Sequence, residues 1–250
     1  MLIVLPPSES KSNRRRGRPA DPSTWSFPEL GRTRERVAAH LATASASPSA
    51  TTLLGVSPGL ADEVARNLTL GSAPATPAAD VYTGVLYDAL DLASMDAAAR
   101  RRANQWVVIV SALHGAVRLR DRITAYRLSM DVNLPGLGPV AAAWRPVLGD
   151  VLAPAAGREV VVDCRSSTYA AVWTPAGDVA DRWVQVRVPG ASHMAKHTRG
   201  LVARHLCVDG RRARTPEQLA AVVADGFEVA LTPPVRRGRP WVLDAVARQA

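Results

Sequence analysis

Residues 2–11 read Leu2-Ile3-Val4-Leu5-Pro6-Pro7-Ser8-Glu9-Ser10-Lys11. Four consecutive aliphatic residues suit a short buried strand, and two prolines end it because they cannot donate to a sheet ladder. A strand anchored in a core holds whatever emerges from its end in a fixed place, which suits a functional site. What emerges here is Ser8, Glu9, Ser10 and Lys11. Side chains of these types bind phosphate or form a base–nucleophile pair. The same pattern recurs twice. The apolar run from Trp106 to Val110 leads into Ser111-Ala112-Leu113-His114-Gly115-Ala116-Val117-Arg118. Val160-Val161-Val162 leads into Asp163-Cys164-Arg165-Ser166-Ser167-Thr168-Tyr169.

Outward from these runs, further strands are expected at 184–188 and 227–231, and an extended segment at 123–130. Helical spacing of apolar residues marks 29–42, 59–68, 82–92, 95–104, 137–152 (bent near Pro146), 194–206 and 216–224. Thr215 caps the last of these, with Glu217 in its first turn. Residues 8–28 form a polar surface loop that carries Arg14-Arg15-Arg16-Gly17-Arg18. Strands and helices mix without a strict βαβ period, and no internal repeat is visible. The fold class is therefore α+β (mixed α/β), with 1–250 as one domain.

The chain has 250 residues, is 47% apolar and 21% charged, and carries a formal charge of +9. This balance describes a globular protein and favours a polyanionic partner: nucleic acid, a nucleotide or an acidic surface. Two cysteines make no disulfide framework, and a reducing cytoplasmic location is expected. Leu2 to Leu5 is too short for a signal peptide, and no apolar run approaches the ~20 residues of a membrane span.

Only two lysines, Lys11 and Lys196, occur against 29 arginines. A lysine that persists in so arginine-rich a chain is a candidate for work a guanidinium cannot do, since an ammonium can lose its proton when buried. Both lie in patterned segments. On a helix His193, Lys196, His197 and Gly200 share one face. Two histidines at i, i+4 can hold a metal, but a lysine on that face repels a cation, so a basic stripe facing an anion fits better and no metal is assigned. Arg118, Asp121, Tyr126 and Arg127 follow the second strand, where arginines suit phosphate and Asp121 can orient one. Ser166 and Tyr169 follow the third, where a helix N-terminus would offer amides to an anion. Gly55-Val56-Ser57-Pro58-Gly59 reads as the hairpin of a helix-hairpin-helix, in which glycines let amides approach a DNA phosphate.

Taken together, these segments resemble the peroxide stress protein YaaA family. The resemblance rests on residues 1–11, Tyr82-Thr83-Gly84-Val85, Ser111 to Gly115 with Arg118, Asp121 and Tyr126-Arg127-Leu128, Asp163 to Tyr169, and Ser192-His193 with Lys196 and Arg199-Gly200. It implies a compact mixed α/β body with a basic cleft and a helix-hairpin-helix. It further implies a cytoplasmic protein that binds DNA, prefers locally unpaired structure, and limits iron-driven oxidative damage under peroxide. The family's lysines match Lys11 and Lys196. The chain departs from the pattern at Ser10, where glycine is expected, and at His114, where tyrosine is usual.

Two readings follow. In the first, Arg118, Arg127, Lys196 and Arg199 contact DNA phosphates, with Ser8, Tyr126, Ser166, Tyr169, His197, Gly55 and Gly59 completing the binding surface. In the second, the same cleft is an enzyme site for a nucleotide-like small molecule. There Lys11 or Lys196, with Asp121, His193 or His197, works on a glycosidic or related bond. Neither reading needs a cofactor or a membrane. Both expect Lys11, Arg118, Asp121, Tyr126, Arg127, Ser166, Lys196 and Arg199 to converge.

Overall fold

The computed structural model describes residues 1–190 and 194–248. Its frame is a seven-stranded sheet. The strands are β1 (Leu2–Leu5), β2 (Val107–Ser111), β3 (Gly115–Arg118), β4 (Val161–Asp163), β5 (Trp183–Arg187), β6 (Phe227–Thr232) and β7 (Trp241–Ala247), in the spatial order β6-β7-β5-β4-β1-β2-β3. β1 runs parallel to both β2 and β4, β4 to β5, and β5 to β7. Only the outer strands, β3 against β2 and β6 against β7, are antiparallel. The class is thus mixed α/β with a mostly parallel sheet.

β1 lies third from one edge and is buried along its whole length, as are β2 and β4. A strand covered on both faces has no polar alternation, which is why Leu2-Ile3-Val4-Leu5 is uniformly apolar. The helices include α1 (Gly31–Ser45), α2 (Ala50–Leu53), α3 (Ala61–Ala65), α4 (Val85–Leu90), α5 (Ala97–Trp106), α6 (Val140–Ala156), α7 (Ser167–Ala170), α8 (Met194–Asp209) and α9 (Pro216–Val223). Thr215 accepts the Gln218 amide at the start of α9, so the expected cap is present. Among the described residues no helix is long and apolar enough to cross a membrane.

Several expected elements differ. The extended segment at 123–130 contributes only a two-residue ladder, Arg122–Ile123, and otherwise runs irregularly through the interior. The expected helix at 82–92 shrinks to α4, because Gly84 (φ +90°) opens it and Asp91 in the left-handed region closes it. Near 50–65, α2 and α3 are about one turn each, joined through left-handed Gly55 (φ +63°) and the 3-10 turn Pro58–Leu60, which holds Gly59.

α8 packs against α4 at Gly200. A methyl group there would sit 2.2 Å from the Leu86 carbonyl oxygen and 2.8 Å from Ala89 Cβ. Only glycine lets the two helices approach this closely, and that approach brings the first turns of α8 beside the loop that follows β1.

Candidate functional site

Because β1, β4 and β5 are parallel, the segments that follow them leave the sheet on the same side. In open α/β sheets this carboxyl edge is where crevices form. Residues 6–10 after β1, 166–169 after β4, 83–87 at the start of α4, and Lys196 and Arg199 of α8 enclose a cleft of about 280 Å³. The lining mixes polar and apolar groups: Ser8, Ser166, Lys196 and Arg199 with Tyr87 and Tyr169, and Glu9 at its rim.

The loop after β1 is fixed by hydrogen bonds. Ser8 Oγ accepts from the Thr83 amide at 3.1 Å and donates to the Ser10 carbonyl. Tyr87 Oη donates to the Pro6 carbonyl at 2.7 Å. The opposite wall rests on a fully buried ion pair. Arg165 grips Asp163 through Nε to Oδ1 at 2.8 Å and Nη2 to Oδ2 at 2.7 Å, and also donates to the carbonyls of Tyr169 and Trp173. Trp183 Nε1 donates to the same carboxylate. This network sets the position of α7, and with it Ser166 and Tyr169. Ser166 starts that helix without a side-chain cap, leaving its hydroxyl free of that role. Burial raises the Tyr169 phenol well above its usual range, so it stays neutral.

Lys11 lies directly beneath the loop. Its ammonium donates to the Ser8 carbonyl at 2.7 Å and stands 4.4 Å from the Tyr126 ring centroid and 5.8 Å from that of Tyr82. Desolvation is the main cause that pulls its pKa down to about 8, with Glu9 acting in the opposite direction. Tyr126 is itself held by Ser111 Oγ at 2.8 Å and by Tyr82 Oη at 3.2 Å. Its ring meets His114 edge-on at 5.3 Å.

The expected convergence is incomplete. Ser8, Ser166, Tyr169, Lys196 and Arg199 share the cleft, and Lys11 and Tyr126 adjoin it through Ser8. Arg127 lies on the other side of Glu9, ion-paired to Glu9 at 3.0 Å and to Glu63 at 3.3 Å. It lines a separate depression with Gly55 and Asp131. His197 is half-buried on α8 outside the cleft lining, and His193 lies outside the described residues.

Arg118 and Asp121 are not brought to the cleft. Arg118 pairs with Val108 near the start of β2, and its guanidinium turns to the Gln105 carbonyl and the Phe27 ring. Asp121 is buried and accepts from the amides of Ser26 and Arg118 and from Ser26 Oγ. Both groups brace the chain where β3 ends. Among the described residues no three His, Cys, Asp or Glu side chains come together as metal ligands would.

The profile of the peroxide stress protein YaaA family matches residues 1–231. The chain belongs to that family. Among its relatives, a UPF0246 protein of Streptomyces coelicolor is 46% identical, covering 100% of this chain and 99% of its own. A UPF0246 protein of Corynebacterium efficiens is 37% identical over 98% of this chain and 100% of its own, and one of Corynebacterium glutamicum strain R is 36% identical over 89% and 91%. The family match spans β1 and all four walls of the cleft.

Proposed function

We propose that this member of the YaaA family is a cytoplasmic DNA-binding protein of the peroxide stress response, and that the cleft receives an unpaired nucleotide. One observation carries the reading: two cations and two serine hydroxyls converge with two tyrosines in a single recess at the carboxyl edge of the sheet. Lys196 and Arg199 neutralise a phosphate, Ser8 and Ser166 offer hydroxyls to it, and Tyr87 and Tyr169 give a base an aromatic wall. At about 280 Å³ the recess is near the small end of ligand pockets, roughly 300–1,000 Å³, a size that suits one nucleotide rather than a duplex. The expected helix-hairpin-helix adds nothing to this reading: the helices flanking Gly55 and Gly59 are about one turn each, and the Gly55 and Val56 amides already donate to the carbonyls of Thr52 at 3.1 Å and Thr51 at 2.9 Å. The direct test is anisotropy of labelled single-stranded, bubble and fully paired DNA. Binding should favour the unpaired forms and vanish in the double variant Lys196→Ala/Arg199→Ala. Equal binding of all three forms, unchanged in that variant, would refute the reading.

A second reading is favoured by Lys11. A lysine with a pKa near 8 is partly neutral at physiological pH, and a neutral amine can attack a sugar C1′. The N–C1′ bond forms as the glycosidic bond breaks, the bonding pair leaves with the base, and the proton released from nitrogen goes to that base. Lys11→Arg keeps charge but cannot be deprotonated. Loss of base release with binding retained would support amine chemistry, and full release in the variant would eliminate it.

A further inference from the structure

The arginine run Arg14-Arg15-Arg16-Gly17-Arg18 takes no part in lining the cleft, yet the loop that carries it grows out of the cleft wall. The Ser10 carbonyl accepts from Thr83 Oγ1 at 3.2 Å, Lys11 bridges antiparallel to Tyr82, and the Ser12 amide donates to the Val81 carbonyl at 2.8 Å. The far end is tied down in the same way. Pro19 bridges to Pro74, and the Arg18 carbonyl accepts from the Ala75 amide at 2.9 Å. Gly17 holds φ +144°, and a methyl group there would sit 3.4 Å from Pro74 Cβ. The arginines are therefore presented on a loop fixed at both ends.

Arg14, Arg15, Arg16 and Arg18 are all exposed, and none pairs with a carboxylate among the described residues. No acidic residue occurs from Ser10 to Ala20. The acids on either side of that stretch are engaged elsewhere, Glu9 with Arg127 and Asp21 with the amide and hydroxyl of Ser23. Like charges this close repel one another, and a polyanion relieves the repulsion. Guanidiniums suit phosphate oxygens in particular. By chain length, Arg14 Cα lies at most about 11 Å from Lys11 Cα, a span of about three base steps along one strand.

We propose that this loop grips the phosphate backbone of the duplex flanking an unpaired nucleotide held in the cleft. The inference rests on the DNA reading of the cleft and extends it: the preferred partner is a junction between paired and unpaired DNA. Paired DNA fits the loop better than a single strand for two reasons. A duplex carries charge at about twice the density of one strand. Residues 12–20 also hold no aromatic side chain on which an unpaired base could stack.

The probes are a duplex with a single-stranded tail and the free tail alone, with binding followed by anisotropy. The loop variant is Arg14→Gln/Arg15→Gln/Arg16→Gln/Arg18→Gln. The control variant, Arg158→Gln/Arg236→Gln/Arg237→Gln/Arg239→Gln, removes the same charge from exposed arginines that precede β4 and β7, at the opposite edge of the sheet. The native protein should bind the tailed duplex at least about tenfold tighter than the free tail. The loop variant should lose that advantage and keep its affinity for the tail. Its slope of log K against log salt on the tailed duplex should be shallower by about 1.8 or more, as for two phosphates. The control variant should retain the advantage, since charges beyond about 10 Å are screened at 0.1 M salt. If the native protein does not bind the free tail, the cleft reading fails, and the comparison of the two variants on the tailed duplex still decides the loop. Equal losses in both variants, a loop variant that keeps its affinity for the tailed duplex, or competition by polyglutamate as strong as by duplex would each overturn the proposal.

Discussion

The ammonium of Lys11 stands 4.4 Å from the centre of the Tyr126 ring, on the far side of the loop that lines the cleft. Cation–ring attraction and the Ser8 carbonyl hold the charge in place, while desolvation works against it. The net effect is a pKa of about 8.

Lys11 should therefore titrate near pH 8 rather than near 10.5. Reductive methylation with a ¹³C label, followed across pH by NMR, would show the Lys11 methyl signal moving with a midpoint near pH 8. The sign for stability follows. Between about pH 8 and 10.5 the unfolded chain holds this proton and the folded chain does not, so Lys11 makes stability rise with pH through that window. Below it, the full cost of burying the charge is present. Lys11→Met should remove that rise.

Asp163→Asn should destabilise the protein by about 3–5 kcal/mol, because it leaves the fully buried Arg165 guanidinium without its carboxylate. Denaturant unfolding measures the loss. The same change should weaken cleft binding, since Arg165 also holds the Tyr169 carbonyl.

His114 should make the protein acid-sensitive earlier than its carboxylates would. Burial and the nearby Arg34 and Lys11 charges put its folded pKa at about 3 against an ordinary 6.5. As pH falls below 6.5, only the unfolded state takes the proton, so stability is lost toward pH 3 at no more than about 1.4 kcal/mol per pH unit. His114→Phe should flatten the difference between unfolding curves taken at pH 5 and pH 7.

Gly200→Ala should cost about 1–3 kcal/mol through overpacking, since its methyl would meet the Leu86 carbonyl. A lowered melting temperature that Leu86→Ala does not restore is the expected pattern, because the obstacle is backbone.

Much of this architecture was legible in the sequence. β1 is a uniform aliphatic run, β2 and β4 are aliphatic runs ending in Ser111 and Asp163, β5 (Trp183–Arg187) carries buried Val184 and Val186 on either side of Gln185, and the polar segments after β1 and β4 do form cleft walls. Other features were not legible. β7 (Trp-Val-Leu-Asp-Ala-Val-Ala) follows the arginine- and proline-rich stretch 233–240, whose loop composition masks it. Arg118 and Asp121 have the residue types of a phosphate site, but only the antiparallel return of β3 shows that they point to the other end of the sheet. Asp163 and Arg165, two residues apart, gave no sign of forming a buried pair, because residues i and i+2 meet only when the chain turns. Arg34 and Arg165 are the buried arginines among 29, and no local pattern distinguishes Arg34 from those on the surface.

The salt dependence of single-stranded DNA binding tests the central claim most directly. If Lys196 and Arg199 each neutralise one phosphate, log K should fall with log salt more steeply in the intact protein than in Lys196→Ala/Arg199→Ala, by a slope difference of about 1.4. Arg118→Ala, whose guanidinium is held by the Gln105 carbonyl away from the cleft, should leave the slope unchanged. A slope that the double variant does not alter, or one that Arg118→Ala alone abolishes, would contradict the placement of DNA in this cleft.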